Sequence, residues 1–244
     1  MRIPRLFVDL DLSDGDTVDL DDRATHHVSR VLRLRSGDPV RLFNGRNGEY
    51  EAYLNQISRD GASAVVGRGS AISRESGISI TLCQGIARGN RMDLVLQKSI
   101  ELGVNKIIPV WTDRSTLRLD GKRLERRMQH WRGIIINACE QCGRNRIPEI
   151  SYPVGLQEWL HTCIPADTKL VLDPDAGLSL SEINTPERNI ILLTGPEGGL
   201  SDGEKTRLAQ AGFSSIRLGK RILRTETASI TAISCIQFLW GDLN

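Results

Sequence analysis

Between Ile190 and Ala228 the chain carries two glycine-punctuated turns, each directly behind a short apolar run. The first, Thr194-Gly195-Pro196-Glu197-Gly198-Gly199-Leu200, follows Ile190 to Leu193. The second, Leu218-Gly219-Lys220-Arg221-Ile222-Leu223-Arg224-Thr225-Glu226-Thr227-Ala228, follows Ser215 to Arg217. A buried strand that ends in glycine lets backbone amides and carbonyls approach a flat ligand, because glycine has no Cβ and accepts positive φ. Two such strand ends side by side make one pocket. Its expected lining is Thr194, Gly195, Glu197, Gly198 and Gly199 from the first turn, Leu218, Gly219, Ile222, Leu223, Arg224 and Thr227 from the second, and Leu172 at the end of a further apolar run.

The turns also say which ligand fits. Neither Gly-x-Gly-x-x-Gly nor a Walker pattern occurs in the chain. The helix behind the first turn opens at Ser201 with Glu204 three residues on, a capping box, and Asp202 lies in the same first turn. Those carboxylates already occupy the positive helix end, so a phosphate there would be repelled. A ligand with an adenine, a ribose and no phosphate is the better guest, and S-adenosylmethionine, whose reactive sulfonium is positive, meets that description. A glycine pair alone reads equally as an ordinary strand-to-helix turn; the basic second turn tips the balance.

Net charge is +2, and its distribution is more informative than its size. Residues 9–22 are acidic; residues 23–46 carry Arg23, Arg30, Arg33, Arg35, Arg41 and Arg46 against Asp38 alone. Further basic patches are Arg114, Arg118, Lys122, Arg123, Arg126 and Arg127, and Arg217, Lys220, Arg221 and Arg224 on the second turn. Charge runs are usually solvated faces. Arginine in preference to lysine favours fork-like phosphate contacts, and so an RNA partner. Cys139 and Cys142 form a C-x-x-C within a helical pattern, while Cys83, Cys163 and Cys235 stand alone. A zinc site needs a second ligand pair, and His26, His27, His130 and His161 show no ligand spacing, so no metal is expected. The odd count of five cysteines argues for reduced thiols. The start is broken by Asp9 and offers no signal-peptide core, and no apolar run approaches the ~20 residues of a membrane helix. The expectation is a cytoplasmic chain without a membrane partner.

The elements that must position these residues follow from punctuation. Short strands at Val40 to Phe43 and Glu49 to Tyr53 flank Asn44-Gly45-Arg46-Asn47-Gly48 as a hairpin, and Ala62 to Val66 follows an Arg59-Asp60-Gly61 turn. With a helix near Ala24 to Leu32, residues 1–70 read as a small β-barrel. Residues 71–77, rich in turn formers, read as a linker. Residues 78–244 alternate strands with helices. Strands are expected at Ile78 to Leu82, Val104 to Val110, Lys169 to Leu172, 190–194 and 215–218. Met92, Val95, Leu96, Ser99 and Ile100 fall at helical spacing between an Asn90 N-cap and a Gly103 stop, and further helices are expected at Lys122 to Cys142 and 202–211. That alternation predicts a mostly parallel α/β sheet with its ligand at the carboxyl ends of the strands. Thr227 to Trp240 is apolar over more of its circumference than one core-facing stripe requires. Ile230, Ser234, Gln237 and Gly241 lie on one row, and Ile233, Ile236 and Trp240 on another, so this helix reads as needing two partners, its own sheet and something else, or else as buried wholly in one domain. At 244 residues, 25% charged and 39% hydrophobic, the chain has the composition of a globular protein.

At these residues the chain resembles the knotted SPOUT methyltransferases. More closely, it is similar to the bacterial family that methylates N3 of a uridine in 16S ribosomal RNA. The similarity rests on Arg91-Met92-Asp93 with Lys98 and Glu101 to Val104, on Glu140-Gln141-Cys142-Gly143-Arg144, on Gly195 to Gly199, and on Leu218 to Ala228. His27 to Gly48 resembles that family's RNA-binding domain, and Cys142 departs from it where serine is common. The resemblance implies a trefoil knot, a PUA-like barrel, S-adenosylmethionine as cofactor, the small ribosomal subunit as partner, and a homodimer with its interface beside the cofactor pocket. It adds Arg91 to Arg23, Arg30, Arg33 and Arg35 as RNA-binding candidates.

Methylating N3 requires the base to leave its stack, alignment with the methyl donor, and loss of the N3 proton. Arg144, Gln141 and Arg224 are candidates for holding the uracil oxygens, and Glu140 or Glu197 for taking the proton. Of these, Arg144 is the expected substrate-site residue and Glu140 its catalytic companion, with the general base left open: a helical Glu140 also has Arg144 as its ion partner four residues on, and Glu197 reads equally as a hydrogen-bond partner of turn amides. A non-catalytic RNA-binding or ribosome-assembly protein and a small-molecule methyltransferase are the alternatives; the intact turns disfavour the first and the arginine-rich start disfavours the second.

Overall fold

The computed structural model describes residues 3–46, 48–58, 61–115, 120–162, 166, 168–184 and 188–244. Asn47, the Arg59-Asp60 turn, Arg118 and Cys163 therefore lie outside the described residues. The chain divides into two compact units: Met1–Glu75 with Cys139–Ile147, and Ser76–Ala138 with Pro148–Asn244.

The first unit is built on β1 (Arg5–Phe7), β2 (Thr17–Leu20), α1 (Asp22–His26), β3 (Pro39–Phe43), β4 (Glu49–Ile57) and β5 (Ala62–Ser70). They form one curled sheet in the order β1-β3-β4-β5-β2, antiparallel except where β1 joins β3. Leu42, Ala52, Leu54, Ala64 and Val66 face its core with Ala24 and Val28 from the helix. The helix expected near 24–32 changes pitch: after α1 the chain continues as a π-turn over His27–Val31, closed by the Leu32 amide donating to His27 O at 2.9 Å. Arg33, just beyond, takes φ of 53°.

One buried cation ties the late segment into this unit. Arg5 packs over the Phe43 ring at 4.5 Å and bonds Glu49 Oε2 at 3.2 Å. Its two terminal nitrogens donate to Cys139 O (2.8 Å), Arg144 O (3.2 Å) and the side-chain oxygen of Asn145. A buried guanidinium is tolerated when its donors are filled, and Arg5 fills them across 140 residues of sequence.

The second unit contains β6 (Ser79–Gly85), α2 (Asn90–Glu101), β7 (Lys106–Trp111), α3 (Gly121–Cys142, its last turn belonging to the first unit), β8 (Glu149–Ile150), β9 (Val154–Gly155) and α4 (Leu156–Thr162). It continues with β10 (Thr168–Leu172), β11 (Leu178–Ser179), β12 (Asn189–Thr194), α5 (Asp202–Gln210), β13 (Ser214–Arg217) and α6 (Thr225–Trp240). The sheet is parallel, in the order β11-β13-β10-β12-β6-β7-β8, with β9 beside β7. The expected strands and helices are present, with one correction at the start of α2. Gly89, at φ of 58°, makes the entry into that helix, so Asn90 is its first residue and not its cap. The box on α5 is as expected: Ser201 accepts from Glu204 N, and Glu204 accepts from Ser201 N at 2.8 Å.

The N-terminal turn of α6 is fixed by a chain of buried hydrogen bonds centred on Gln84, a fully buried residue near the end of β6. Gln84 Nε2 donates to Gly85 O (2.9 Å) and Thr225 Oγ1 (3.1 Å), and Gln84 Oε1 accepts from Ser229 Oγ (2.7 Å). Thr225 Oγ1 in turn donates to Gly195 O at 2.7 Å. Gly85 matters for the same reason. A Cβ there would lie 2.5 Å from Pro196, so only glycine lets the Gly195-Pro196 backbone sit on the end of β6.

Replacing Gln84 by Leu takes one hydrogen bond from each of Thr225 and Ser229, whose hydroxyls keep Gly195 O and Thr225 O as acceptors, a net loss of about 0.5–1.5 kcal/mol per bond. For a chain of this size that lowers the melting temperature by about 2–4 °C per kcal/mol. The triple change Gln84→Leu, Thr225→Val, Ser229→Ala should depart from the sum of its parts, because the three side chains share the Gln84 bonds that each single change already removes. Calorimetric melting checks both, and a Gln84→Leu protein as stable as wild type would show the network to be idle.

Candidate functional site

The carboxyl ends of β10, β12 and β13 open onto a cavity of about 550 Å³, within the range of small-molecule sites. Thr194 and Gly195 leave the end of β12, and the turn that follows contributes Glu197, Gly198 and Gly199. Gly199 donates to Pro196 O at 2.9 Å and takes φ of 68°, so the turn closes tightly because no Cβ is present. Leu172 comes from the end of β10; Leu218, Ile222, Leu223 and Arg224 come from the segment between β13 and α6. The two turns thus share one cavity. Gly219 and Thr227 are not in its lining, although their neighbours Leu218, Glu226 and Ala228 are. Thr194 Oγ1 is buried without a hydrogen-bond partner and belongs to a residue on the cavity wall.

Sequence reasoning missed Asp173, Pro174, Lys205, Arg114 and Arg217 in the lining. A proline-containing turn directly behind a strand was the available signal for the first two. Arg114, on the loop after β7, donates to Gly198 O at 2.9 Å. Asp173 Oδ1 accepts from Lys205 Nζ (2.9 Å) and from the Asp175 amide (3.1 Å). The hydrogen bond to Asp173 holds the Lys205 ammonium above its ordinary pKa.

A second polar cluster lies on the same wall. Glu197 Oε1 accepts from the Arg88 amide (2.9 Å) and from Arg91 Nη1 (2.8 Å). Burial opposes the charge on Glu197, but these two donors outweigh it and hold the carboxyl below the usual range. Arg91 Nε also faces Glu226 Oε2 at 3.9 Å, and that oxygen has no hydrogen-bond partner. Arg91, expected among the RNA-binding residues, therefore belongs to the cavity wall.

The expected catalytic pair stands elsewhere. Arg144 is buried and donates to Glu75 Oε2 from Nε (3.0 Å) and Nη2 (2.5 Å). Glu140, also with a buried side chain, bonds Arg23 at 3.0 Å and accepts the Phe7 amide at 2.9 Å. Both belong to the first unit and neither lines the cavity. The reason is that α3 ends at Cys142, so helical spacing no longer pairs Glu140 with Arg144, and each takes a distant partner. In this conformation both are committed to the packing of 139–147, and Arg23 is half-buried against Glu140. Arg30, Arg33 and Arg35 are exposed, and among the described residues none of the three side chains forms an ion pair.

Burial pushes the Cys139 thiol up to about 12, which leaves Cys139 without a ready thiolate. Among the described residues no cluster of three His, Cys, Asp or Glu side chains is placed to hold a metal ion, and no helix is long and apolar enough to cross a membrane.

Two family models cover most of the chain: an RNA methyltransferase domain over residues 74–237 and an RNA methyltransferase PUA domain over residues 20–67. Ribosomal RNA small subunit methyltransferase E of Buchnera aphidicola (Schizaphis graminum) is 35% identical over 243 residues, covering 100% of this chain and 99% of the relative. The Bacillus subtilis protein of the same name is 29% identical, with 96% of each covered. Among solved structures, the Neisseria gonorrhoeae ribosomal RNA small subunit methyltransferase E bound to S-adenosyl methionine superposes with a TM-score of 0.92 at 39% identity over 100% of both chains. A Legionella pneumophila putative methyltransferase in complex with the same cofactor gives a TM-score of 0.96 at 38% identity, again over 100% of both. The expected PUA-like unit and α/β SPOUT methyltransferase core are thus both present, and the chain belongs to the ribosomal RNA small subunit methyltransferase E family.

Proposed function

We propose that this chain transfers the methyl group of S-adenosylmethionine to N3 of a uridine in 16S ribosomal RNA, with the assembled small subunit as substrate. The observation that carries this reading is the cavity at the ends of β10, β12 and β13. It is walled by a glycine turn and an Ile222-Leu223 edge, it lacks a glycine-rich phosphate cradle, and arginines line its rim. The orphaned Thr194 hydroxyl and the backbone of Gly195 to Gly199 suit an adenosine, and two full-length neighbours hold that cofactor. The bound donor supplies an electrophilic methyl carbon. The chain's own residues supply orientation through Gly195 to Gly199 and Leu223, exclusion of water by Leu172 and Leu200, and cations at Arg91 and Arg224 for charge on the uracil oxygens. Arg144, Glu140 and Arg23 act in this reading by holding segment 139–147 in the RNA-binding unit.

Labelled methyl transfer to free uridine, naked 16S RNA and small subunits lacking the modification tests the reading directly. Label at uridine N3 is expected with the particle; transfer to free uridine alone, or to no RNA, rejects it. The exposed Arg30, Arg33 and Arg35 serve as phosphate ligands. Changing all three to Ala should weaken RNA binding and lower the slope of log K against log salt by roughly 0.7–0.9 for each phosphate no longer neutralised. An unchanged slope identifies them as a solvated face.

The homodimer belongs to the same proposal. The buried face of α6 is Ser229, Ala232, Ile233, Ile236 and Gln237, while Phe238 and Leu239 are 60% and 43% exposed. Gln237, expected on the row of Ile230, joins the buried face instead, bonding Leu102 O at 2.8 Å. The exposed apolar residues remain for a second copy, beside a helix whose Ala228 lines the cavity. Sedimentation equilibrium should give twice the 27.1 kDa chain mass; a fully active monomer would contradict this.

A further inference from the structure

The structure assigns the N3 proton of the uracil to Glu226, an inference that rests on the uridine N3 reading above. Asp173, Asp175, Glu197 and Glu226 all line the cavity. Three of these carboxylates are committed elsewhere. Asp173 is bound to Lys205 and to the Asp175 amide, and the Asp175 side chain is 87% exposed. Glu197 already accepts the Arg88 amide and the Arg91 guanidinium, which favour its charged form and make it a poor proton acceptor.

Glu226 differs in every respect that matters. Its side chain is only 12% exposed, and its Oε2 is buried without a hydrogen bond. Arg91 Nε, 3.9 Å from that oxygen, is beyond hydrogen-bond reach. Buried acceptors in folded proteins are filled by protein, water or ligand, and an unfilled one on a residue that lines a cavity marks where a ligand's donor belongs. The carboxylate is also held in place. It follows Thr225, whose hydroxyl is bonded to Gly195 O and to Gln84, so the first turn of α6 is fixed against the glycine turn of the same cavity.

The step balances without any further reactant. The N3–H bond breaks, its proton passes to Glu226 Oε2, and its electron pair forms the new bond to the methyl carbon while the carbon–sulfur pair stays on sulfur. Solvent takes the proton from Glu226 after product leaves. Arg91, bonded to Glu197 and 3.9 Å from Glu226, supplies a cation beside that carboxylate for the charge that develops on the uracil oxygens.

Glu226→Gln keeps the shape and removes the acceptor. Single-turnover methylation at neutral pH should fall by about 10²–10⁴-fold, while calorimetric affinity for S-adenosylmethionine and the melting temperature stay as in wild type. In alkali the uracil loses its own N3 proton, so the Gln variant's rate should climb with hydroxide towards the wild-type value. Glu226→Asp, a carboxylate on a shorter arm, should retain more rate than Gln. A Gln variant with the wild-type rate, or one whose deficit persists undiminished in alkali, overturns the assignment. So does a variant whose defect is loss of donor affinity, which would place Glu226 on the methionine ammonium. Mass spectrometry of the wild-type product separates the two failures: a methyl group elsewhere than N3 rejects the uridine reading itself.

Discussion

Backbone ladders order the strands of the second unit, but they do not connect β6 to α6. The side-chain amide of Gln84 does, and much of the site depends on it. A helix that is apolar around most of its circumference has no strong preference for one axial position, since sliding by a residue exchanges one hydrophobic neighbour for another. Thr225, Ser229, Ile233 and Gln237 recur at four-residue spacing along α6, and three of these four are polar and buried. Thr225 and Ser229 bond Gln84, and Gln237 takes Leu102 O and the Ser76 hydroxyl, so both ends of the helix are pinned along one line. Any slip would strand those groups without water, which costs far more than the slip could gain.

That constraint explains how the cavity wall can be made of loops and still be ordered. The wall between β13 and α6 carries Arg221, Ile222 and Arg224, all exposed. Its far end is fixed because Thr225 joins Gly195 to Gln84. Charges on the two sides of the cavity are handled differently. Asp173 and Lys205 neutralise each other beside β10, whereas on the other side Arg91 faces two carboxylates and fully bonds only one. The unbalanced side is where chemistry is to be expected, because a fully compensated pair has nothing left to offer a reacting group.

Local signals in the sequence were read correctly where the cause is local. Ser201 with Glu204 caps α5, Gly103 follows α2 with φ of 85°, and the two glycine turns behind apolar runs meet at one cavity. What escaped is what three dimensions decide. Arg144 pairs with Glu75, 69 residues away, because α3 stops two residues too early for the helical partner. Gln84 is one of three polar residues in β6, with Ser79 and Thr81, and nothing nearby announces that Thr225 and Ser229 will meet it. β8, β9 and β11 are two residues each, too short for a period to show. The π-turn after α1 has no compositional signature, and the hydrophobic spacing of Ala24 and Val28 fits either pitch.

The first unit is discontinuous, and this bears on the order of its birth. Domains near the amino terminus ordinarily complete themselves while the rest of the chain is still being synthesised. Here Arg5 is made among the first residues, yet its acceptors at Cys139, Arg144 and Asn145 arrive only after β6, α2, β7 and nearly all of α3 have been translated. Until then the sheet has Glu49 and the Phe43 ring for Arg5, and water for its remaining donors. The packing of the amino-terminal sheet around Arg5 therefore cannot reach its final form until residues 139–147 have been made, however early the sheet itself is translated.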